Sequence, residues 1–272
     1  MNRAPAPAKI NLALVVGPLR DDGKHELLTV FQRIDLVDRI ELDGASELRV
    51  EGYAEDTLVR AALSELARSA GVEPRWRVRI EKKIPLAAGL GGGSSDAATA
   101  LRLANGTLPE PLSAEELHRL AAGIGADVPF FLADGPQLGS ADGSELEPLD
   151  LPQDFWALVL LPHGAAKTST ADVYAAFDAR RGVEGFAERR QALLDGLAAV
   201  KRPRDLAALP PNDLVSSPLA ERIRAEGAFR ADVSGAGPAL YGLFHHRRDA
   251  DAATRALRRL GRIWVTAPAW YG

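Results

Sequence analysis

The sequence predicts an α+β fold, with strands and helices mixed but not in the strict alternation of a doubly wound parallel sheet. Three observations carry this expectation. Apolar runs of strand length, bounded by turn residues, crowd the first fifty positions and recur at 155–161 (FWALVLL). Stretches of helical spacing, such as Leu58, Ala62, Leu66 and Ala70, lie between them. The chain has 272 residues, 46% hydrophobic and 26% charged, enough apolar material for one large domain or two modest ones. A composition change near Asp150 divides the expected domains into 1–150 and 151–272.

Residues 8–16 (AKINLALVV), between Pro7 and Gly17-Pro18, read as a strand. After the polar turn Arg20-Asp21-Asp22-Gly23 come strand-like runs at 25–36 and 39–42 and a short strand at 48–50. Residues 57–70 read as a helix that Gly71 stops. Trp76, Val78 and Ile80 alternate with Arg75, Arg77 and Arg79, a half-buried strand with a solvated charged face. The segment IPLAAGLGGGSSD at 84–96 joins a strand to a helix through a glycine loop. Ser113 and Glu116 have capping-box spacing, and that helix ends at Gly123 and Gly125. Asp127 has the character of an N-cap for the next segment. Residues 135–151 read as loop. The second half then offers the strand at 155–161, helices near 170–180 and 186–200, and a connector at 201–212 with three prolines. A second glycine turn at Ser234-Gly235-Ala236-Gly237-Pro238 leads into a strand; a helix at 250–260 and a strand at 263–265 follow.

Composition excludes several function classes. Cysteine is absent, which removes disulfides, thiolate metal sites and cysteine nucleophiles. A formal charge of −4 does not suit a general nucleic-acid binder. No apolar run approaches the ~20 residues of a spanning helix, and the first nine residues lack a signal-peptide core. A cytoplasmic setting is expected, and the sequon Asn105-Gly106-Thr107 reads as chance.

The glycine loop is the strongest chemical signal. Four of the five residues 89–93 are glycine, so backbone N–H groups can close on a phosphate. Ser94-Ser95 stands where a helix begins, and the unpaired N–H groups and dipole there favour an anion. A Gly-Lys-Ser/Thr P-loop, a Rossmann fingerprint and the protein-kinase signatures are all missing. Lys9, one of six lysines against 27 arginines, lies two residues before Asn11, so both point to the same side of the strand. Taken alone, Lys9 reads equally well as a solvated strand-start lysine. Asp127 reads as a helix cap or as a carboxylate that orients a hydroxyl proton.

Together these segments resemble the GHMP kinase superfamily. PLAAGLGGGSSDAA at 85–98 looks like its ATP loop, and SGAGP at 234–238 like its C-terminal glycine motif. Within the superfamily, PAKINLAL at 7–14, DGKHELLTVFQ at 22–32, GADVPFFL at 125–132 and NDL at 212–214 resemble the branch that phosphorylates 4-diphosphocytidyl-2-C-methyl-D-erythritol. The resemblance implies a two-domain fold with its active site in the cleft between the domains. It implies transfer of the γ-phosphoryl of ATP, with Mg²⁺, to the 2-hydroxyl of that cytidyl diphosphate substrate, in the non-mevalonate isoprenoid route. It further implies that Lys9 and Asp127 are the catalytic pair. Pro85, Leu86, Ala87, Ala88, Gly89, Leu90, Gly91, Gly92, Gly93, Ser94 and Ser95 would hold ATP, with Lys82 and Thr57 near its adenosine. Asn11, Lys24, His25, Thr170 and Tyr174 would meet the substrate, and Ser95 would reach the metal. The expected enzyme is a monomer or homodimer with no nucleic-acid or membrane partner. Three departures stand out. Lys24 replaces the branch's base-stacking tyrosine, Asp56-Thr57-Leu58 replaces an Asn-Leu pattern, and Ala236 and Pro238 replace serines. Another GHMP small-molecule kinase, of homoserine or mevalonate type, and a catalytically silent nucleotide-binding protein are the competing expectations.

Overall fold

A computed structural model describes residues 2–53, 57–165 and 169–269. Its framework is a long hairpin. Strand β1 (Asn2–Leu19) runs antiparallel to β2 (His25–Gly44), so the expected first strand is longer at both ends and the two runs after it are one strand. β1 is buried without alternation from Ala6 to Gly17, the pattern of a strand covered on both faces. Ala6 joins one apolar core, Ala8, Ile10, Leu12 and Val15 a second, and Leu14 and Val16 a third. The register of β1 on β2 shifts between Pro7 and Ala8 and again between Asn11 and Ala13. Lys9 and Asn11 thus sit between two irregularities of the kind that re-aim side chains.

By its other edge β2 pairs with β4 (Trp76–Glu81) and β5 (Gln137–Ser140). β3 (Arg49–Glu51) and β6 (Glu145–Pro148) lie outermost, completing a six-stranded sheet. Two of these strands fall in residues 135–151, which read as loop. With only four residues each, one of them largely exposed, they are too short to show a period. Helices α1 (Leu58–Ala70), α2 (Gly92–Asn105) and α3 (Ala114–Ile124) supply the apolar layer of the first core. The Ser113–Glu116 capping box forms as expected, and Gly125 rather than Gly123 ends α3.

The second half builds a four-stranded antiparallel sheet of β7 (Trp156–Pro162), β8 (Arg230–Val233), β9 (Leu240–Phe244) and β10 (Gly261–Thr266), ordered β10-β7-β9-β8. α4 (Thr170–Ala179) and α5 (Phe186–Ala199) match expectation; α6 (Pro218–Ala225) forms where the sequence gives no helical expectation, and α7 spans Arg247–Leu257. The two sheets are stitched together. Asp35 N–H donates to Ala267 O, Ala269 N–H to Arg33 O, and Tyr241 Oη of β9 to Leu12 O of β1. None of the described helices is long and apolar enough to cross a membrane.

Candidate active site

Asp127 is not a cap. The following 3-10 turn, Pro129–Phe131, starts from Val128 without a side-chain cap. Asp127 instead reaches across the chain to Lys9: Nζ and Oδ2 are 3.3 Å apart, the lysine side chain 5% and the carboxylate 34% exposed. A solvated lysine is therefore replaced by a nearly buried ammonium. Lys9 Nζ also donates to Asn11 Oδ1 at 2.6 Å, and Asn11 Nδ2 donates to Thr29 Oγ1, which donates to Ala13 O. This chain of donors orients the ammonium and gives it a second oxygen partner. Arg33 steadies the Asp127 side by donating to Phe130 O at 3.0 Å while lying over the Phe130 ring.

Two glycine segments close on this pair from opposite halves of the sequence. In the first, Lys9 N–H donates to Leu90 O, so the loop is bonded to the strand that carries Lys9. The first intrahelical bond of α2 runs from Ser95 N–H to Gly91 O. The N–H groups of Gly92, Gly93 and Ser94 are left without helical partners, with the helix dipole behind them. In the second segment Ser234 Oγ donates to Gly89 O, and Ala239 N–H to Ala88 O. The approach is so close that a Cβ on Gly237 would lie 2.2 Å from Gly89 N, and one on Gly89 2.3 Å from Ser234 O. Only residues without side chains permit this contact.

Three adjoining cavities fill the cleft. The central one is lined by Lys9, Asn11, Asp127, Ser94 and both glycine segments. A second, bounded by Tyr53, Thr57, Lys82 and residues 85–94, extends along the first glycine loop. Lys82 at its wall forms ion pairs of 2.5 Å with Asp38 and 2.6 Å with Asp96, both wholly buried. Burial alone would lower the Lys82 pKa, but Asp96 and Asp38 outweigh it and raise it above the usual lysine value. The third cavity, which shares Asp142, Thr170 and Tyr174 with the central one, is also lined by Lys24, His25 and Asp178. Here the His25 and Tyr174 rings stack at 5.1 Å, His25 Nδ1 lies 2.7 Å from Gly17 O, and Nε2 3.3 Å from Asp178 Oδ1. Burial, with the charges of Asp127 and Asp142, pushes the Tyr174 hydroxyl up to about 12, so it stays protonated. Lys24 Nζ pairs with Asp142 Oδ2 at 2.5 Å. Burial tends to raise the Asp142 pKa, but hydrogen bonds from Lys24 and Ser144 hold it at about 2.

The GHMP kinases N terminal domain family matches residues 57–135, and the GHMP kinases C terminal family residues 215–263. A protein of Salinispora tropica named 4-diphosphocytidyl-2-C-methyl-D-erythritol kinase is 38% identical over 95% of this chain and 88% of its own. One of the same name from Anaeromyxobacter is 37% identical over 93% and 85%. This chain belongs to the 4-diphosphocytidyl-2-C-methyl-D-erythritol kinase family. A crystal structure of 4-(cytidine 5'-diphospho)-2C-methyl-D-erythritol kinase superposes with a TM-score of 0.79 at 34% identity, covering 98% of this chain and 99% of that one. A mevalonate kinase structure, at 16% identity and TM-score 0.75, shares the fold.

Against the family pattern, the structure brings most of the expected residues to the cleft: Lys9, Asn11, Asp127, Thr57, Lys82, residues 85–94, Lys24, His25, Thr170 and Tyr174 all line it. Ser95 is the exception. Its side chain is wholly buried, its Oγ has no hydrogen-bond partner among the described residues, and it lines none of these cavities; Ser94 takes the position facing the cleft. His25 is buried rather than a surface residue, and both its ring nitrogens face protein oxygens. Of the departures, Asp56 lies outside the described residues. Sequence reasoning missed Asp142 because it falls in the stretch read as loop. It missed Asp96, which holds Lys82, although the Ser-Ser-Asp run at the start of α2 carried a signal.

Proposed function

We propose that this chain transfers the γ-phosphoryl of ATP to the 2-hydroxyl of 4-diphosphocytidyl-2-C-methyl-D-erythritol, giving ADP and the 2-phosphate of the non-mevalonate isoprenoid route. The observation that carries the reading is the convergence of Lys9 and Asp127 beside two interlocked glycine segments, in a chain whose relatives bear that name. A catalytically silent binder would need one of the pair turned out of the cleft, and both line it.

Phosphoryl transfer has a loose transition state, so positioning and charge stabilisation do most of the work. Asp127, partly open to the cleft, accepts or orients the proton of the attacking hydroxyl. Lys9, 3.3 Å from that carboxylate, stabilises charge growing on the attacking oxygen. The free N–H groups at the start of α2 take the phosphates. The cavity of His25 and Tyr174 receives the cytidine, with Thr170 between it and the phosphates. Thr57 and the wall held by Lys82 take the adenosine.

The residues present fit a Mg²⁺ that arrives with the triphosphate. Among the described residues no three His, Asp or Glu side chains gather into a cage, and Mg²⁺ usually draws most of its shell from phosphates and water. The Ser94 hydroxyl would hold it in place of Ser95, and the ion would neutralise charge on the phosphates. On this reading the chain divides near residue 150, between β6 and β7, and the enzyme works in the cytoplasm as a monomer or homodimer without nucleic-acid or membrane partners.

The test is a Mg²⁺-ATP assay that offers the cytidyl substrate beside its uridyl and adenyl analogues, mevalonate and homoserine. The expected result is a new phosphomonoester on the cytidyl compound, read by phosphorus NMR. Phosphorylation of mevalonate or homoserine instead, or of nothing offered, overturns the reading.

A further inference from the structure

The Asn212-Asp213-Leu214 motif lies outside the mechanism above, yet it is bonded to both sides of the cleft. Asp213 N–H donates to Leu14 O, and Asp213 Oδ2 accepts from Val16 N–H, both on the strand that carries Lys9. Asn212 is buried, and its Nδ2 donates to Gly235 O at 2.7 Å and to Val233 O at 3.1 Å. Its Oδ1 accepts from Leu214 N–H at 2.8 Å, and its own N–H donates to Asp232 Oδ2 at 2.9 Å. Every polar group of this side chain is committed to backbone.

The bond to Gly235 O has a directional consequence. A trans peptide is planar, so its carbonyl and the following N–H point opposite ways. With Gly235 O drawn toward Asn212, the N–H of Ala236 is turned to the other side of that peptide. Gly235, Ala236 and Gly237 line the central cavity, and Asn212 does not. Neither the Gly235 nor the Ala236 N–H donates to any described residue. Gly235 has a left-handed φ of +59°, the conformation in which successive N–H groups form a concave anion nest. A Cβ built there would stand 3.2 Å from both Lys9 Nζ and Asn11 Oδ1, so this peptide lies against the catalytic ammonium.

We propose that the Gly235–Ala236 turn is an anion hole for the phosphoryl group in flight, and that Asn212 is the positioning residue that aims its N–H. The proposal builds on the phosphotransferase reading and adds a group to it. Charge on the transferring oxygens is met from one side by the first glycine loop and Lys9, and from the other by main chain that Asn212 holds still. The lost serine hydroxyls at 236 and 238 leave this role intact, because the donor is the backbone. The donor is aimed before the reaction and costs no reorganisation during it.

Asn212→Asp is the decisive variant, since it keeps the acceptor for Leu214 N–H and removes the donor to Gly235 O. Loss of one such donor costs about 10²–10³ in rate. The expected result is a kcat lower by that order, with the KM for ATP and acceptor within about threefold; the thermal midpoint falls, because a buried carboxylate then faces two carbonyls, while far-UV circular dichroism at the assay temperature stays as in the parent. Affinity for ADP with aluminium fluoride, a mimic of the planar phosphoryl group, should fall by a similar factor while affinity for ADP alone holds. Asn212→Ser, with a shorter donor, should recover part of both. A kcat within threefold of the parent, or equal losses of ADP and ADP–fluoride affinity, overturns the proposal. If the variant does not fold, Asn212→Gln, which keeps the amide but displaces it, is put through the same two titrations: a selective loss of ADP–fluoride affinity supports the anion hole, and an equal loss of both overturns it. A parent that phosphorylates no offered alcohol sinks the functional reading alone, because the two titrations need no acceptor turnover.

Discussion

The two ends of the cleft are made differently. The end proposed to take the phosphates is built from main chain and nearly buried side chains: two glycine segments touching backbone to backbone, with Lys9 held by Asn11, Asp127 and the Leu90 carbonyl behind it. The end proposed to take the base is built from side chains on two turns and a helix, with Lys24 58% and Asp178 49% exposed. A phosphate is the same group in every nucleotide, and rigid N–H groups suit it. A base is recognised by its edges and faces, which side chains can change to meet. The difference teaches where substitution should abolish chemistry and where it should retune binding.

The largest effect should come from the proposed catalytic pair. Asp127→Ala and Lys9→Ala are each expected to lower kcat by about 10²–10⁴, with KM for ATP little changed and far-UV circular dichroism as in the parent. Parent-like turnover by either would break the contrast at its strongest point. Gly237→Ala comes next. Its Cβ would meet Gly89 N at 2.2 Å and Ala88 C at 2.3 Å, prising the glycine segments apart. A displacement of ~1 Å can cost about 10²-fold in rate, and here a nucleotide titration should show weaker ATP binding as well. At the base end, Lys24→Ala should raise the KM for the cytidyl substrate by about three- to tenfold and leave kcat near the parent value. An equal loss in kcat would mean that the two ends are not separable.

The smallest effect concerns pH. Asp142 has a folded pKa of about 2 against an ordinary 3.8. Its pairing with Lys24 therefore contributes stability that is full above about pH 4 and is lost as pH falls toward 2. Exposure of Lys24 keeps the contribution small, ~0–1 kcal/mol. Thermal melts of the parent and Asp142→Asn should differ slightly at pH 6 and converge as pH approaches 2. A gap that widens on acidification would contradict the assignment.

The phosphate end was also the more legible in sequence. Glycine clusters announce close backbone contact because no other residue permits it, and Lys9 and Asn11 share a face by strand geometry alone. What local reading could not supply was partnership across the chain. Asp127 by itself reads as a cap or as a proton-orienting carboxylate, and what decides between them is Lys9, 118 positions earlier. Asp142 was hidden in a stretch read as loop, where β5 and β6 are four residues each and leave no periodic trace. Asn212 was visible as part of a motif, but its use depends on where the Gly235 carbonyl lies, and that is a tertiary fact.

The pairing of Ala267 and Ala269 with β2 bears on how the molecule is made. The bonds that brace the hairpin join residues far apart in sequence: 197 positions between Val16 and Asp213, and 229 between Leu12 and Tyr241. Contacts so distant in sequence form slowly. The second apolar core, which joins Ala8, Ile10 and Leu12 of the hairpin to Ala239, Tyr241 and Leu243, therefore closes only when the distant segments dock, which makes its closure a late step of folding.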